Sequence, residues 1–208
     1  MLSRRERRRS PRHCNARHRA KVISAMATRI LTVLLSALAF VACSRATTSA
    51  VASTGDPTVD AELLRLRTAT RPYQSLDSAV AAGYPRSVPD CLVHEHHGAM
   101  GYHHVNRAYL SPTLSIDKPQ ILLYERLPDG GYQLNGVEFI IPYRMYPRDS
   151  VAPVWMGQTM HREDNLDIWY LHVWAWKNNP DGLFANFNST VSCPGTGKVY
   201  RPFTRDGA

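Results

Sequence analysis

The chain has 208 residues, a soft prior for one domain with tails, and a formal charge of +8. Up to and including Cys43 there are ten Lys and Arg against one acid; beyond it there are fifteen against sixteen acids. The excess therefore belongs to a leader, and the body lacks the basic run that phosphate binding needs, which excludes a nucleic-acid partner. A single apolar run excludes a multi-span membrane protein.

Ile30 to Val41 is that run: twelve residues without a charge, behind Lys21 and Arg29 and ahead of small residues. As a helix it would be about 18 Å long, too short for a hydrocarbon core of about 30 Å. A basic front, a short apolar middle and small residues behind predict a secretory signal peptide over 1–43, with an extended basic n-region starting at Met1 or Met26. Phe40-Val41-Ala42-Cys43 resembles a bacterial lipobox, with Phe40 in place of the usual Leu. This predicts acylation of Cys43 and membrane contact through a lipid anchor only. Residues 44–58 then read as a polar tether and 59–208 as a single globular domain. The expected location is the bacterial cell envelope, as an outer-membrane or periplasmic lipoprotein; the alternative is a soluble secreted protein.

In the body, Asp60 is the expected cap of a first helix carrying Leu63, Leu64 and Leu66, ended by Pro72. A second helix is expected from Tyr73 to Ala82, with Tyr73, Leu76 and Val80 on one face and Gly83 past its end. From Cys91 onward the pattern changes to strands. Gln120–Leu127 and Tyr132–Ile141 flank Pro128-Asp129-Gly130-Gly131, a hairpin signal. Asp167 to Lys177 is aromatic and β-branched and reads as a central strand. Helices first and strands afterwards predict an α+β fold, N-terminal helices on an antiparallel sheet; a small β-barrel with N-terminal helices is the alternative. Of four cysteines, Cys14 leaves with the leader and Cys43 is the acylation site. Cys91 and Cys193 remain, and in an exported domain an even pair predicts one disulfide.

Seven histidines follow the leader, and five lie between His94 and His104. Imidazole is the commonest transition-metal ligand, so this density points toward a metal. His94 to His97 reads as an exposed run. After the glycine-flanked stretch Gly98 to Gly101, alternation turns one of His103 and His104 inward. On the hairpin, Glu125 shares parity with Ile121 and Leu123, and Glu138 with Leu134 and Ile140, so both acids lie on apolar faces where an unpaired carboxylate is costly. A two-residue Asp129-Gly130 turn would place Glu125 opposite Leu134 and Ile121 opposite Glu138; a bulge at Gly136 would break that parity. The plain structural alternative pairs each Glu with an arginine such as Arg107 or Arg144. His172 shares a face with Ile168, Tyr170, Trp174 and Trp176. His103 (or His104), Glu138 and His172 would make a two-His, one-carboxylate set suited to Zn or non-haem Fe, with Glu125 as an outer or additional carboxylate. Tyr102, Trp174, Trp176 and Asn178 would line a small-molecule ligand. No nucleophile elbow or phosphate loop is present, so motif alone fixes no reaction.

The stretches Gly98-Ala99-Met100-Gly101-Tyr102-His103, Leu122-Leu123-Tyr124-Glu125, Gly136-Val137-Glu138-Phe139 and His172-Val173-Trp174-Ala175-Trp176, through Asn178, Pro180 and Cys193, resemble a family of exported bacterial proteins with no established activity. The likeness spans about Tyr73 to Cys193. It implies export and favours His103 over His104 as the inward residue, and it carries no mechanism. The expectation is an anchored envelope domain with a His/Glu metal site; a metal-free small-ligand binder and a purely structural lipoprotein are the alternatives.

Overall fold

The computed structural model describes residues 53–86, 90–194 and 197–199. The signal peptide, the Cys43 lipobox and most of the tether lie outside them. Helix α1 (Pro57–Thr70) is capped by Asp56, whose side chain accepts from the Thr58 and Val59 N–H groups, with Pro57 in the first turn. The expected cap, Asp60, is instead inside the helix, because proline at the first helical position moves the start four residues earlier. Pro57 and Thr58, read as the end of the tether, are thus helical. Val59, Leu63, Leu66 and Thr70 form the buried stripe, while Leu64 is exposed. A 3-10 turn (Arg71–Gln74) holds Tyr73, and α2 (Leu76–Ala81) starts only after the Ser75 cap. The second helix is therefore shorter than expected and buries Ala79 rather than Val80.

The strands are β1 (Cys91–His94), β2 (Gly98–Val105), β3 (Ile121–Arg126), β4 (Tyr132–Pro142), β5 (Val154–Trp155), β6 (Gln158–Thr159), β7 (His161–Glu163), β8 (Ile168–Val173) and β9 (Gly197–Val199). Seven of them form one curled sheet in the order β7-β8-β4-β3-β2-β1-β9, antiparallel except for the β1–β9 edge. β5 and β6 form a separate small hairpin. Cys91 and Cys193 are disulfide-bonded across 102 positions, as expected.

The sheet is covered on both faces, which explains why β4 is buried almost throughout. On one face Val59, Leu63, Leu66, Ala79 and Tyr84 pack on Leu122, Tyr124, Val137, Phe139 and Val173. On the other, Ile121, Leu123, Ile140, Tyr170 and Trp174 pack with Val191 from the C-terminal segment. That segment is tied back by the Trp174 N–H donating to Leu183 O and by the paired bonds between Ala99 and Asn188.

The β3–β4 hairpin shows how the site face is set. Arg126 pairs with Tyr132, and the Leu127 N–H donates to Gly131 O across a three-residue loop with Gly130 at φ +87°. This loop shifts the near register by one, so Glu125 faces Gln133 and Tyr124 faces Leu134. An extra residue, Asn135, then bulges from β4 and restores the frame: Leu123 faces Gly136 and Ile121 faces Glu138. The expected Glu125–Leu134 pair is thus corrected, while the Ile121–Glu138 pair stands.

Gly136 sits at this bulge because no side chain fits there. A Cβ would lie 2.5 Å from Val173 O and 3.1 Å from Trp174 Cα. Gly136→Ala is expected to push the end of β8 away, at a cost of roughly 1 to 3 kcal/mol in urea unfolding. An unchanged midpoint would show that β8 yields freely. Gly101, at φ +92°, is required for a second reason: a Cβ would meet Tyr124 O at 2.4 Å, so β2 and β3 approach closely just before His103.

Candidate metal centre

Glu138 and His172 are direct cross-strand partners on β4 and β8, so alternation points both to the face away from the helices. His103 reaches them from β2, across β3, where it pairs with Leu123. His103 Nε2 lies 3.6 Å from Glu138 Oε2, and His172 Nε2 lies 3.8 Å from the same oxygen. One donor atom from each of the three lies within 4.8 Å of the others, and all three residues are buried. Two metal bonds of about 2.1 Å meeting at about 110 to 130° separate their donor atoms by about 3.4 to 3.8 Å. Both separations to Glu138 fall at that spacing.

Burial sets the protonation of the cluster. Desolvation lowers the His103 imidazole to about 4, with His104 adding to the effect and the Gly101 backbone opposing it. Desolvation, with His103 and His161 behind it, lowers His172 to about 3, opposed by Asn186. Glu138 is raised to about 8 by desolvation and then by Glu163. At neutral pH the metal-free cluster is therefore two neutral imidazoles around a largely protonated carboxyl group.

His103 Nδ1 and both ring nitrogens of His172 are buried without a well-formed hydrogen bond, as is Asn186 Oδ1. Such atoms each cost about 1 to 3 kcal/mol. The Gly101 backbone stands beside His103 and the Asn186 side chain beside His172, close enough to act on the charge of each ring. These are the kinds of outer partner that orient ligating histidines while Nε2 faces an ion.

The cluster opens onto a cleft of about 570 Å3 bordered by His103, Glu138 and His172 together with Leu110, Ile121, Ile140, Ile168, Tyr170, Arg107 and Arg144. The other expected site residues go elsewhere. Glu125 is paired with Lys177, so its partner is a lysine rather than an arginine and it does not join the trio. Tyr102 turns to the opposite face, under the Arg86 guanidinium and edge-on to Tyr132. Trp174 stacks near His172 at 6.3 Å, but its Nε1–H donates to Ala185 O and it is not part of the cleft wall. Trp176 follows the end of β8 and packs with the helices, donating to Thr70 Oγ1. Asn178 is exposed, and its carbonyl accepts from Asn188 Nδ2. The aromatic lining expected from the sequence is thus replaced by aliphatic residues with Tyr143 and Tyr170.

His104, on the other parity of β2, is also buried, with Nδ1 beside Tyr84 O and its ring against Tyr124. Both histidines face inward because both faces of β2 are covered. His96 and His97 lie in the exposed β1–β2 turn. Nothing in the sequence marks Glu163 as a site residue: β7 is only three residues long and carries no period-2 pattern that would set its face. Comparison with family models, curated proteins and solved structures finds no match to this chain.

Proposed function

We propose that the body of this protein is a metal-dependent domain that holds one divalent transition ion, Zn or Fe, on His103, Glu138 and His172 at the floor of the cleft. The observation that carries this reading is a buried His-Glu-His trio in which each histidine stands at metal-ligand spacing from the Glu138 carboxylate, with unsatisfied ring nitrogens, opening onto a ligand-sized cavity. Two imidazoles and one carboxylate leave coordination positions open, so a bound ion supplies Lewis acidity toward a ligand in the cleft. His103 and His172, neutral through burial, need lose no proton to ligate. The surrounding aliphatic wall excludes water and strengthens electrostatic interactions at the floor.

We further propose that the domain works outside the cytoplasm, anchored through Cys43. The support is the leader pattern together with the Cys91–Cys193 bond, which persists in oxidising compartments. Among the described residues no helix is long and apolar enough to cross a membrane.

Untagged protein, recovered from the envelope fraction, tests both parts. About one equivalent of Zn or Fe per chain is expected by elemental analysis, falling to background in Glu138→Leu. Detergent-phase partitioning should be lost in Cys43→Ser. Metal retained by Glu138→Leu at the wild-type level would place the ion elsewhere, and wild-type protein in the aqueous phase would end the anchor.

A further inference from the structure

The rim of the cleft carries a feature the trio does not use. β2 and β4 flank β3 and run in the same direction. The segments after their ends bring Arg107 and Arg144 to one end of the cleft. Both arginines are exposed, and neither guanidinium makes a hydrogen bond or an ion pair with a described residue. Two acids share the border. Glu163 is buried, with Oε1 accepting from the Asn165 N–H, and Asp167 is exposed. Between rim and floor the wall is apolar, formed by Leu110, Ile121, Ile140 and Ile168.

We propose that the cleft binds an amphipathic carboxylate of the fatty-acid type, its head on the Arg107 and Arg144 guanidiniums and its chain along that wall toward His103, Glu138 and His172. The inference rests on reading this cleft as the ligand site of the proposed metal centre, and it adds the class of ligand. A guanidinium matches a carboxylate fork, and both of these stand on the border of the cleft whose wall is apolar. A neutral chain would leave both cations unused. An alkyl cation would meet both guanidiniums as like charges and could pair only with Asp167 and with Glu163, which already accepts from the Asn165 N–H.

The test is calorimetric titration of the processed chain with decanoate and with decyl alcohol, on metal-free and Zn-loaded protein. Decanoate is expected to bind with one site per chain, and decyl alcohol at least about tenfold more weakly. Arg107→Gln/Arg144→Gln should weaken decanoate by at least about tenfold, the effect of losing charge-assisted hydrogen bonds. Both side chains are exposed, so the thermal midpoint of the variant should match that of the wild type. Equal binding of decyl alcohol, no binding of decanoate, or unchanged decanoate affinity in the arginine variant would overturn the proposal. The last result would put the carboxylate on the ion. Arginine-dependent decanoate binding in protein that takes up no Zn would uphold this proposal while ending the metal reading.

Discussion

Loss of the Cys91–Cys193 bond is expected to lower the stability of the body by about 4 to 5 kcal/mol, the chain-entropy value for a loop of this length. The bond closes 102 positions and joins β1 to the C-terminal segment that covers the site face. Before it, that segment is held by the Ala99–Asn188 pair and the Trp174 contacts; after it, β9 adds the outer edge of the sheet. Releasing the bond therefore frees a long loop and loosens the cover over Ile121, Leu123 and Trp174 at once. In urea, with a slope of about 2 kcal/mol/M for a domain of this size, the Cys91→Ala/Cys193→Ala variant should unfold at a midpoint lower by about 2 M. A shift below about 0.5 M would mean that packing of the C-terminal segment holds the fold without the crosslink.

Which parts of the site were legible from the residues follows from what alternation can and cannot carry. Side-chain parity is local to an unbroken strand, so it put Glu138 opposite Ile121 and put His172 on the face of Tyr170 and Trp174. It failed wherever the strand was interrupted. The three-residue loop at Gly130 and the bulge at Asn135 cancel each other for Glu138 but not for Leu134, which moves to the helix face. Trp176 has the parity of His172 by count, yet β8 ends at Val173 and the chain turns toward α1. Tyr102 and His104 were ambiguous for a different reason. Alternation assigns a side to each residue, but only the fold shows that both sides of β2 are covered.

The rim was less legible still. Arg107 and Arg144 are far apart in the chain and lie outside regular strands, so no period links them. As possible partners for buried carboxylates they are distinguished in the sequence by charge alone. The structure sends Lys177 to Glu125 and leaves Glu138 to the histidines. A sequence shows how many opposite charges exist, but which of them meet depends on strand order, and β4 lies between β3 and β8.

Metal binding at pH 7 is expected to release about 0.9 proton per ion from Glu138. With its carboxyl raised to about 8, Glu138 is about nine-tenths protonated at pH 7, whereas His103 and His172, at about 4 and about 3, hold no proton to give. Zn titrations in buffers of different ionisation enthalpy count the released protons directly. The count should fall to about 0.5 at pH 8, and apparent affinity should rise about tenfold per unit up to that point and then level off. A site made of exposed histidines would give a different profile, releasing protons mainly below pH 6.5. The same groups set the stability of the metal-free fold. Glu138 binds its proton more tightly folded than unfolded, so stability is lost as pH rises from about 4.5 through 8, by about 1.4 kcal/mol per unit. The histidines bind theirs less tightly folded, so stability is lost as pH falls below about 6.5. The two slopes meet near pH 6.5, where the metal-free protein should be most stable. Glu138→Gln should remove the loss on the alkaline side while preventing Zn uptake, becoming the more stable protein at pH 8 without metal and the less stable one with it. Release of no proton at pH 7, or an alkaline slope unchanged in Glu138→Gln, would mean that Glu138 is already ionised between its two histidines.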